Sequence, residues 1–277
     1  MRRYKFKMLK SNRTAVVCTV ILAIIILMAV LAPLSPYDPD KMDLVNKLQD
    51  PSLAHPLGTD SFGRDYLTRA LYGGRVSLAI GVLAMLISVG AGTVYGTISG
   101  YVGGVLDAVM MRIIDIWASI PSFLIIVMLS AVMSTGVRTM ILIIGLFSWM
   151  DVARIVRAEA LTLKSRDYVL AAKGLGAGNF WIAVRHIMSN AVVQIVVAAS
   201  ISIASAILIE STLSFLGFGV QLPMASWGSM LHDAQEMILT RPMMAVWPGA
   251  LIFLSVLSFN VLGDALQSVL DTRQSLS

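Results

Sequence analysis

The sequence predicts an all-α, polytopic membrane protein with about six transmembrane helices. Of its 277 residues, 57% are hydrophobic and only 13% are charged, and the mean hydropathy is +0.81. A soluble domain carries charge on about a quarter of its residues. A chain with so little charge lacks the polar surface that a water-facing globule needs. These values exclude an ordinary soluble enzyme, a disordered chain and, with one cysteine, a disulfide scaffold.

Uncharged segments of about 20 residues indicate where the helices cross the membrane. The fourth segment is too short alone, so its helix must continue past Asp151 to about Arg157. Pro33 and Pro36 end the first helix, while Pro121 and Pro248 predict kinks in the third and sixth. The six predicted spans fall within residues 14–37, 76–106 (stopping near 98), 116–137, 139–157, 187–209 and 242–263. The first is longer than the apolar part of a signal peptide, so we expect an uncleaved anchor.

The distribution of lysine and arginine predicts the orientation. With the N-terminus inside, fourteen of these residues face the cytoplasm and seven face outward, which favours two cytoplasmic termini in the cell membrane. The predicted parts are an N-terminus with the first helix (1–34), an external segment (35–75), a membrane core (76–264) and a cytoplasmic tail (265–277). Within the core, residues 158–189 are expected inside and residues 214–243 outside. The net charge of +5 is explained by this bias, so no nucleic-acid partner is expected.

Small residues and a few ionisable residues stand out within the spans. Gly92, Gly96 and Gly100 are spaced by four, which predicts a groove on one helix face where another helix packs closely. Ionisable groups are costly at membrane depth. Asp115, Glu210 and Asp264 are predicted near the ends of spans, with Asp264 ending the sixth. Spacings of three predict the pairs Arg112–Asp115 and Asp151–Arg154.

Motifs for catalysis and cofactor binding are missing from the sequence. It has no phosphate-binding loop of the G-x-x-x-x-G-K-[ST] type and no G-x-S-x-G nucleophile motif. His55, His186 and His232 lack metal-ligand spacing. We therefore expect no enzyme activity, no metal site and no cofactor in this chain.

Residues 158–189 read as a helix, a glycine-rich turn at 174–178 and a second amphipathic helix. A helix pair this apolar either lies on the membrane or fits into a groove of a partner protein. We favour the partner; the alternative is a plain surface loop.

Several motifs resemble known transport proteins. YVLAAKGLGAG (168–178) followed by RHIMSN (185–190) resembles the EAA motif of bacterial ABC importer permeases. Four further segments resemble the oligopeptide, dipeptide and nickel permeases, especially their second, C-type subunit. They are HPLGTDSFGRD (55–65), ESTLSFLGFGV (210–220) with SWG (226–228), FNVLGD (259–264) and Leu270–Asp271.

The resemblance implies a type I ABC importer permease that contacts ATPase subunits through the 158–189 loop. It assigns this contact to six residues: Ala171, Ala172, Gly174, Gly176, Ala177 and Ile187. Leu170 and Ser189 depart from the motif, which usually has an acidic residue and a proline there. The implied partners are a second, homologous permease, two subunits that bind ATP, and an extracytoplasmic substrate-binding protein, all assembled in the lipid bilayer.

The resemblance implies small peptides as the first choice of substrate and nickel or a related chelate as the second. Two other classes remain open from the residues alone. A secondary transporter would need deeper charges or broken midplane helices. A structural subunit of an unrelated membrane complex would show no dependence on ATP.

Overall fold

The computed structural model describes residues 12–133 and 136–271, without the side chains of 269–271. Five helices are long and apolar enough to span a membrane, and a bent pair forms a sixth span if its two helices count as one. This confirms the predicted all-α membrane protein with about six spans. Residues 1–11 and 272–277, which contribute to the predicted orientation, lie outside the described residues. The helices are α1 (Arg13–Leu31), α2 (Tyr66–Val102), α3 (Gly104–Ala118), α4 (Ser122–Val132), α5 (Val137–Leu163), α6 (Asp167–Gly174), α7 (Asn179–Ile182), α8 (Val192–Phe215), α9 (Trp227–Ala234) and α10 (Met243–Asp271).

The second helix is longer than predicted at both ends. It begins at Tyr66 rather than near residue 76, because the Asp65 side chain caps it by accepting a hydrogen bond from the Thr68 amide at 2.7 Å. It ends at Val102 rather than near residue 98, where Gly103 takes a φ of +71°. An uncharged segment of the sequence indicates only the part of a helix that faces lipid, so it does not reveal helical residues beyond the membrane.

The predicted third span, residues 116–137, is not one helix. Helix α3 begins at Gly104 and ends at Ala118, and α4 starts after Pro121 at an angle of 64°. Proline has no amide hydrogen to donate, so Pro121 interrupts the helix as predicted. Helix α10 instead continues through Pro248 and past Asp264, where the sixth span was predicted to end.

Helix α2 is the centre of the bundle. It packs most extensively along α5 and also against α8, while α1 lies against α10 and α2. One apolar core lies between α2, α4, α5 and α8, with Ile80, Ile126 and Ile144 almost fully buried. A second core joins α1, α8, α9 and α10.

The two segments between spans, residues 35–65 and 216–242, fold together over the start of α2, and we call them the cap. The Tyr66 hydroxyl donates a hydrogen bond to the Met244 carbonyl. The Trp227 indole nitrogen donates to the Ala70 carbonyl at 3.0 Å, and Trp227 is 1% exposed. Arg69 donates to the Pro39 carbonyl at 3.0 Å. These contacts fix both segments to one helix.

A cluster of charged side chains is buried in the cap, which the sequence did not predict. Arg64 and Arg69 are each 1% exposed. Asp60 lies between them, 2.7 Å from Arg64 Nε and 3.4 Å from Arg69 Nε. Asp233 on α9 lies 3.9 Å from Arg64, and burial raises the pKa of its carboxyl. The cluster ties α9 to the residues before α2.

Candidate functional site

The predicted contact loop forms a helical hairpin, residues 166–188, between α5 and α8. Its first helix, α6, ends in a Schellman arrangement. The Gly176 amide donates to the Lys173 carbonyl, and the Ala177 amide donates to the Ala172 carbonyl, both at 3.1 Å. Gly176 has a φ of +82°, which glycine adopts without strain. The glycine turn predicted at 174–178 therefore depends on one residue, Gly176.

The hairpin is attached to the bundle by its own small core. Val169, Ile182 and Ile187 are at most 2% exposed and pack with Ala160 and Leu163 of α5. A π-helical turn, Ala183–Met188, brings Ile187 into this core. Ile187, one of the predicted ATPase-coupling residues, packs against residues of its own chain in this core. This core fixes the hairpin to the end of α5.

The other side of the hairpin is exposed and apolar. Leu175 and Phe180 are 89% and 83% exposed, and Leu170 and Trp181 are also exposed. Of the remaining predicted contact residues, Ala171, Gly174 and Gly176 are exposed, while Ala172 and Ala177 are half-buried. Large apolar side chains clustered on a surface indicate an interaction site. Sequence reasoning recognised the amphipathic second helix but did not select Leu175 or Phe180.

A cavity of about 670 Å³ separates part of the hairpin from the end of α2. Tyr101, Lys164, Lys173 and Phe180 are among its lining residues. The Tyr101 hydroxyl bridges the gap by donating to Asn179 Oδ1 at 2.9 Å. The hairpin is thus held near α2 at one edge and separated from it elsewhere.

The three predicted packing glycines of α2 lie directly against α5. A Cβ on Gly92 would come within 2.6 Å of Val152 Cβ, and one on Gly100 within 2.6 Å of the Arg157 carbonyl oxygen. A Cβ on Gly96 would overlap the Ala153 carbonyl oxygen. These distances are shorter than a carbon atom tolerates, so only glycine permits the two helices to approach this closely.

An ion pair that the sequence did not indicate joins three helices beside these glycines. Asp107 of α3 accepts hydrogen bonds from Arg157 of α5 at 2.5 and 2.6 Å. The Ser99 hydroxyl of α2 donates to the same carboxylate at 2.5 Å. Asp107 is 8% exposed. Asp107 lies beyond the predicted second span, and an acidic residue outside a span gives no indication of a buried ion pair.

The two short-range ion pairs predicted from spacing are wrong. Arg154 of α5 pairs with Asp115 of α3 at 3.1 Å. Within the described residues, Asp115 does not pair with Arg112, and Asp151 does not pair with Arg154. The carboxylate that pairs with Arg154 lies on a different helix, so residue spacing along α5 alone could not reveal it.

Glu210 on α8 is completely buried and is surrounded by hydroxyl groups. Ser77 of α2 donates to its carboxylate at 2.9 Å, and Ser214 donates at 2.7 Å. The Ser77 oxygen also accepts a hydrogen bond from the Trp227 amide at 3.2 Å. Glu210 therefore joins α2, α8 and the first residue of α9, and anchors the cap to the bundle.

The histidines of the cap have separate structural partners. His55 Nδ1 lies 2.9 Å from Asp65, and His232 Nδ1 lies 2.8 Å from the Phe215 carbonyl oxygen. Within residues 12–133 and 136–271, no group of three or more histidine, cysteine or acidic side chains is arranged to hold a metal ion.

Comparisons with known proteins identify the family. The family described as "Binding-protein-dependent transport system inner membrane component" matches residues 92–276, and "N-terminal TM domain of oligopeptide transport permease C" matches residues 2–51. The chain is 40% identical to the oligopeptide transport system permease protein OppC of Bacillus subtilis (strain 168), over 95% of this chain and 87% of that protein. It is also 40% identical to the dipeptide transport system permease protein DppC of the same organism, over 97% of this chain and 84% of that protein. Identity to the nickel transport system permease protein NikC of Escherichia coli (strain K12) is 37%, over 94% of each chain.

The chain therefore belongs to the binding-protein-dependent transport system inner membrane components, the permeases of ABC importers. Within that class it is a member of the oligopeptide, dipeptide and nickel group, as its motifs predicted. It is a multi-pass membrane protein, and its family implies a transport complex with other subunits.

Proposed function

We propose that this chain is the second, C-type permease subunit of an ATP-driven importer of small peptides. It forms half of the translocation pathway, and a homologous permease forms the other half. Two ATPase subunits bind ATP and contact the hairpin in the cytoplasm, and a substrate-binding protein docks on the cap outside. The oligopeptide and dipeptide relatives, at 40% identity, are the basis for proposing peptides, and the nickel relative, at 37%, makes nickel or a related chelate the alternative.

The exposed apolar side of the hairpin is the observation that supports coupling. Leu175 and Phe180 are largely exposed, whereas Val169 and Ile187 are buried and anchor the hairpin to α5. An apolar helix face of this kind fits a groove on a partner. A motor that binds the exposed side would move the anchored side with it.

ATP binding closes the two ATPase subunits and displaces the hairpin. Helix α5 enters the hairpin and α8 leaves it, so both helices receive this displacement. Helix α2 follows α5 because of the close contact at Gly96 and because Ser99 of α2 bonds to Asp107, which pairs with Arg157 of α5. The pathway then changes its opening from one side to the other, and ATP shifts the equilibrium only because the ATPases bind the two states differently.

Reconstitution tests this proposal. The chain is placed in liposomes with the partner permease, ATPases and binding protein encoded by neighbouring genes, and uptake of a labelled dipeptide is measured with and without ATP. We expect uptake that requires ATP. Uptake without any nucleotide would refute ATP coupling, and ATP-driven uptake of nickel but no peptide would refute the substrate.

The turn at Gly176 tests the role of the hairpin. Gly176→Val forces a β-branched residue into a positive φ, at a cost of about 1–2 kcal/mol, and should lower uptake per ATP hydrolysed. Gly176→Asn should recover part of the coupling because asparagine tolerates this φ. Gly178→Ser is the matched control, since Gly178 has a φ of −66° at the N-cap of α7, where serine is favoured. Equal coupling in all three variants would contradict the proposed role of this turn.

A further inference from the structure

A cavity of about 250 Å³ lies between α4, α5 and α8, away from the hairpin and the cap. Apolar side chains form most of its wall, including Ile126, Phe147 and Ile201. The remaining wall carries oxygen atoms, from Ser122, Ser148, Asp151, Ser202 and Ser205. The cavity is far larger than one water molecule needs, and its wall offers several polar partners.

Asp151 is the one ionisable residue in the wall of this cavity. It lies on α5 about 21 Å from Val137 and about 18 Å from Leu163, so it is well inside the helix. Within the described residues it has no ion-pair partner, because the nearby Arg154 pairs with Asp115. A carboxylate within a spanning helix is costly unless it faces a water-filled path or a charged ligand.

The hydroxyl groups around Asp151 are also free to bind. Ser148 lies one turn before Asp151 on the same face of α5, and Ser202 and Ser205 lie one turn apart on α8. Neither they nor Ser122 makes a side-chain hydrogen bond within the part of the chain that the structure describes. Serine hydroxyls accept hydrogen bonds as well as donate them. With the carboxylate, they form a set of acceptors suited to a group that carries several N–H donors and a positive charge.

We propose that Asp151 and the surrounding serines bind the α-ammonium group of a peptide as it crosses the membrane. This inference rests on the proposed function, and it names the part of the cargo that this chain recognises. A peptide α-amino group has a pKa of about 7.7–8.0 and is mostly protonated at neutral pH. Its three N–H donors match one carboxylate and the hydroxyls beside it.

The position of the cavity connects this binding to the transport cycle. Helix α5 leads into the hairpin and α8 leads out of it, and the cavity lies between these two helices. Displacement of the hairpin therefore changes the distance between Asp151 and the α8 serines. The acceptors hold the ammonium group in one state and separate in the other, which releases the cargo.

The test uses the complete importer in liposomes and compares a free-amine dipeptide with its N-acetylated counterpart, each at a concentration that saturates the binding protein. The binding protein is the same throughout, so a change in the ratio of the two uptake rates belongs to the permease. Asp151→Asn should lower ATP-driven uptake of the free-amine dipeptide by about 10- to 100-fold, the range for a lost charge-assisted hydrogen bond. It should leave uptake of the acetylated dipeptide unchanged. Asp151→Glu should recover part of the loss.

Asp264→Asn is the matched control because it removes one exposed carboxylate from α10, which contributes no residue to the cavity wall, and it should not change the ratio. ATP hydrolysis without binding protein should be the same in all variants, which shows that they fold and assemble. The inference is refuted if Asp151→Asn transports the free-amine dipeptide at the normal rate or slows both dipeptides equally. In contrast, failure of the unaltered complex to take up any peptide with ATP would refute the proposed function itself.

Discussion

The contact between α2 and α5 at Gly96 makes a quantitative prediction about stability. Gly96→Ala adds one methyl group, and its carbon would lie 2.9 Å from the Arg157 amide nitrogen and 3.0 Å from Val156 Cβ, besides overlapping the Ala153 carbonyl oxygen. Two of these three atoms belong to the backbone, so no side-chain rotation relieves the overlap. The two helices must separate at this point.

Gly90 provides the matched control on the same helix. A Cβ at Gly90 meets no atom within 4 Å. Both substitutions gain the same helix propensity, up to about 1 kcal/mol for alanine over glycine. This gain cancels in the comparison, which leaves only the cost of overpacking, about 1–3 kcal/mol. We therefore expect Gly96→Ala to be less stable than Gly90→Ala by that amount.

Reversible unfolding measures this difference. The two purified variants are titrated from a mild detergent into sodium dodecyl sulfate, and unfolding is followed by tryptophan fluorescence, which the five tryptophans make possible. Equal free energies of unfolding for the two variants would show that α2 and α5 are not in close contact at Gly96. The same result would remove one of the two reasons for expecting α2 to follow α5 during transport.

Substitutions at two buried sites, Asp107 and Glu210, test the polar contacts in the same assay. Asp107→Asn should lower the free energy of unfolding by about 1–3 kcal/mol because Arg157 loses its bidentate partner. Asp115→Asn serves as the comparison: it removes an exposed ion pair and should lower the free energy of unfolding by less than about 1 kcal/mol. A larger loss for Asp115→Asn would contradict this reasoning. Glu210→Ala should cost about 2–5 kcal/mol because it leaves a cavity and unpaired hydroxyls, whereas Glu210→Gln keeps the shape and should cost less. Equal losses in the two Glu210 variants would show that the hydrogen-bonded shape is unimportant.

The sequence predicted the spans well because lipid imposes a strong rule: charged groups are excluded from long apolar helices. The ends of the helices were predicted poorly because charged residues are tolerated beyond the membrane surface, where hydropathy no longer marks the beginning or end of a helix. Helix α2 begins at Tyr66 because Asp65 caps it, and Arg69 of α2 is tolerated because its side chain pairs with Asp60 of the cap. These causes are local contacts that hydropathy does not measure.

The polar contacts were predicted least well because most of them join different helices. Spacing along one helix led to Asp151 as the partner of Arg154, but the partner is Asp115 on α3. The role of Asp107 depends on the turn at Gly103 and Gly104 between α2 and α3 and on the approach of α5, and residue spacing along one helix shows neither. The turn at Gly176 could be predicted from the sequence because it depends on a single glycine with a positive φ, and that glycine is part of the recognised motif.

The contacts of α2 suggest why this helix extends from the hairpin to the cap. At one end Tyr101 bonds to the hairpin, and at the other Tyr66 and Ser77 bond to the cap and its neighbours. Between these ends, Gly96 and its neighbouring glycines bring α2 against α5 over several turns. Because a continuous helix is stiff along its axis, a displacement of α5 at the hairpin would be transmitted to the cap with little loss. If the chain acts in the proposed ATP-driven importer, Gly96→Ala should therefore lower uptake per ATP hydrolysed as well as the stability of the fold.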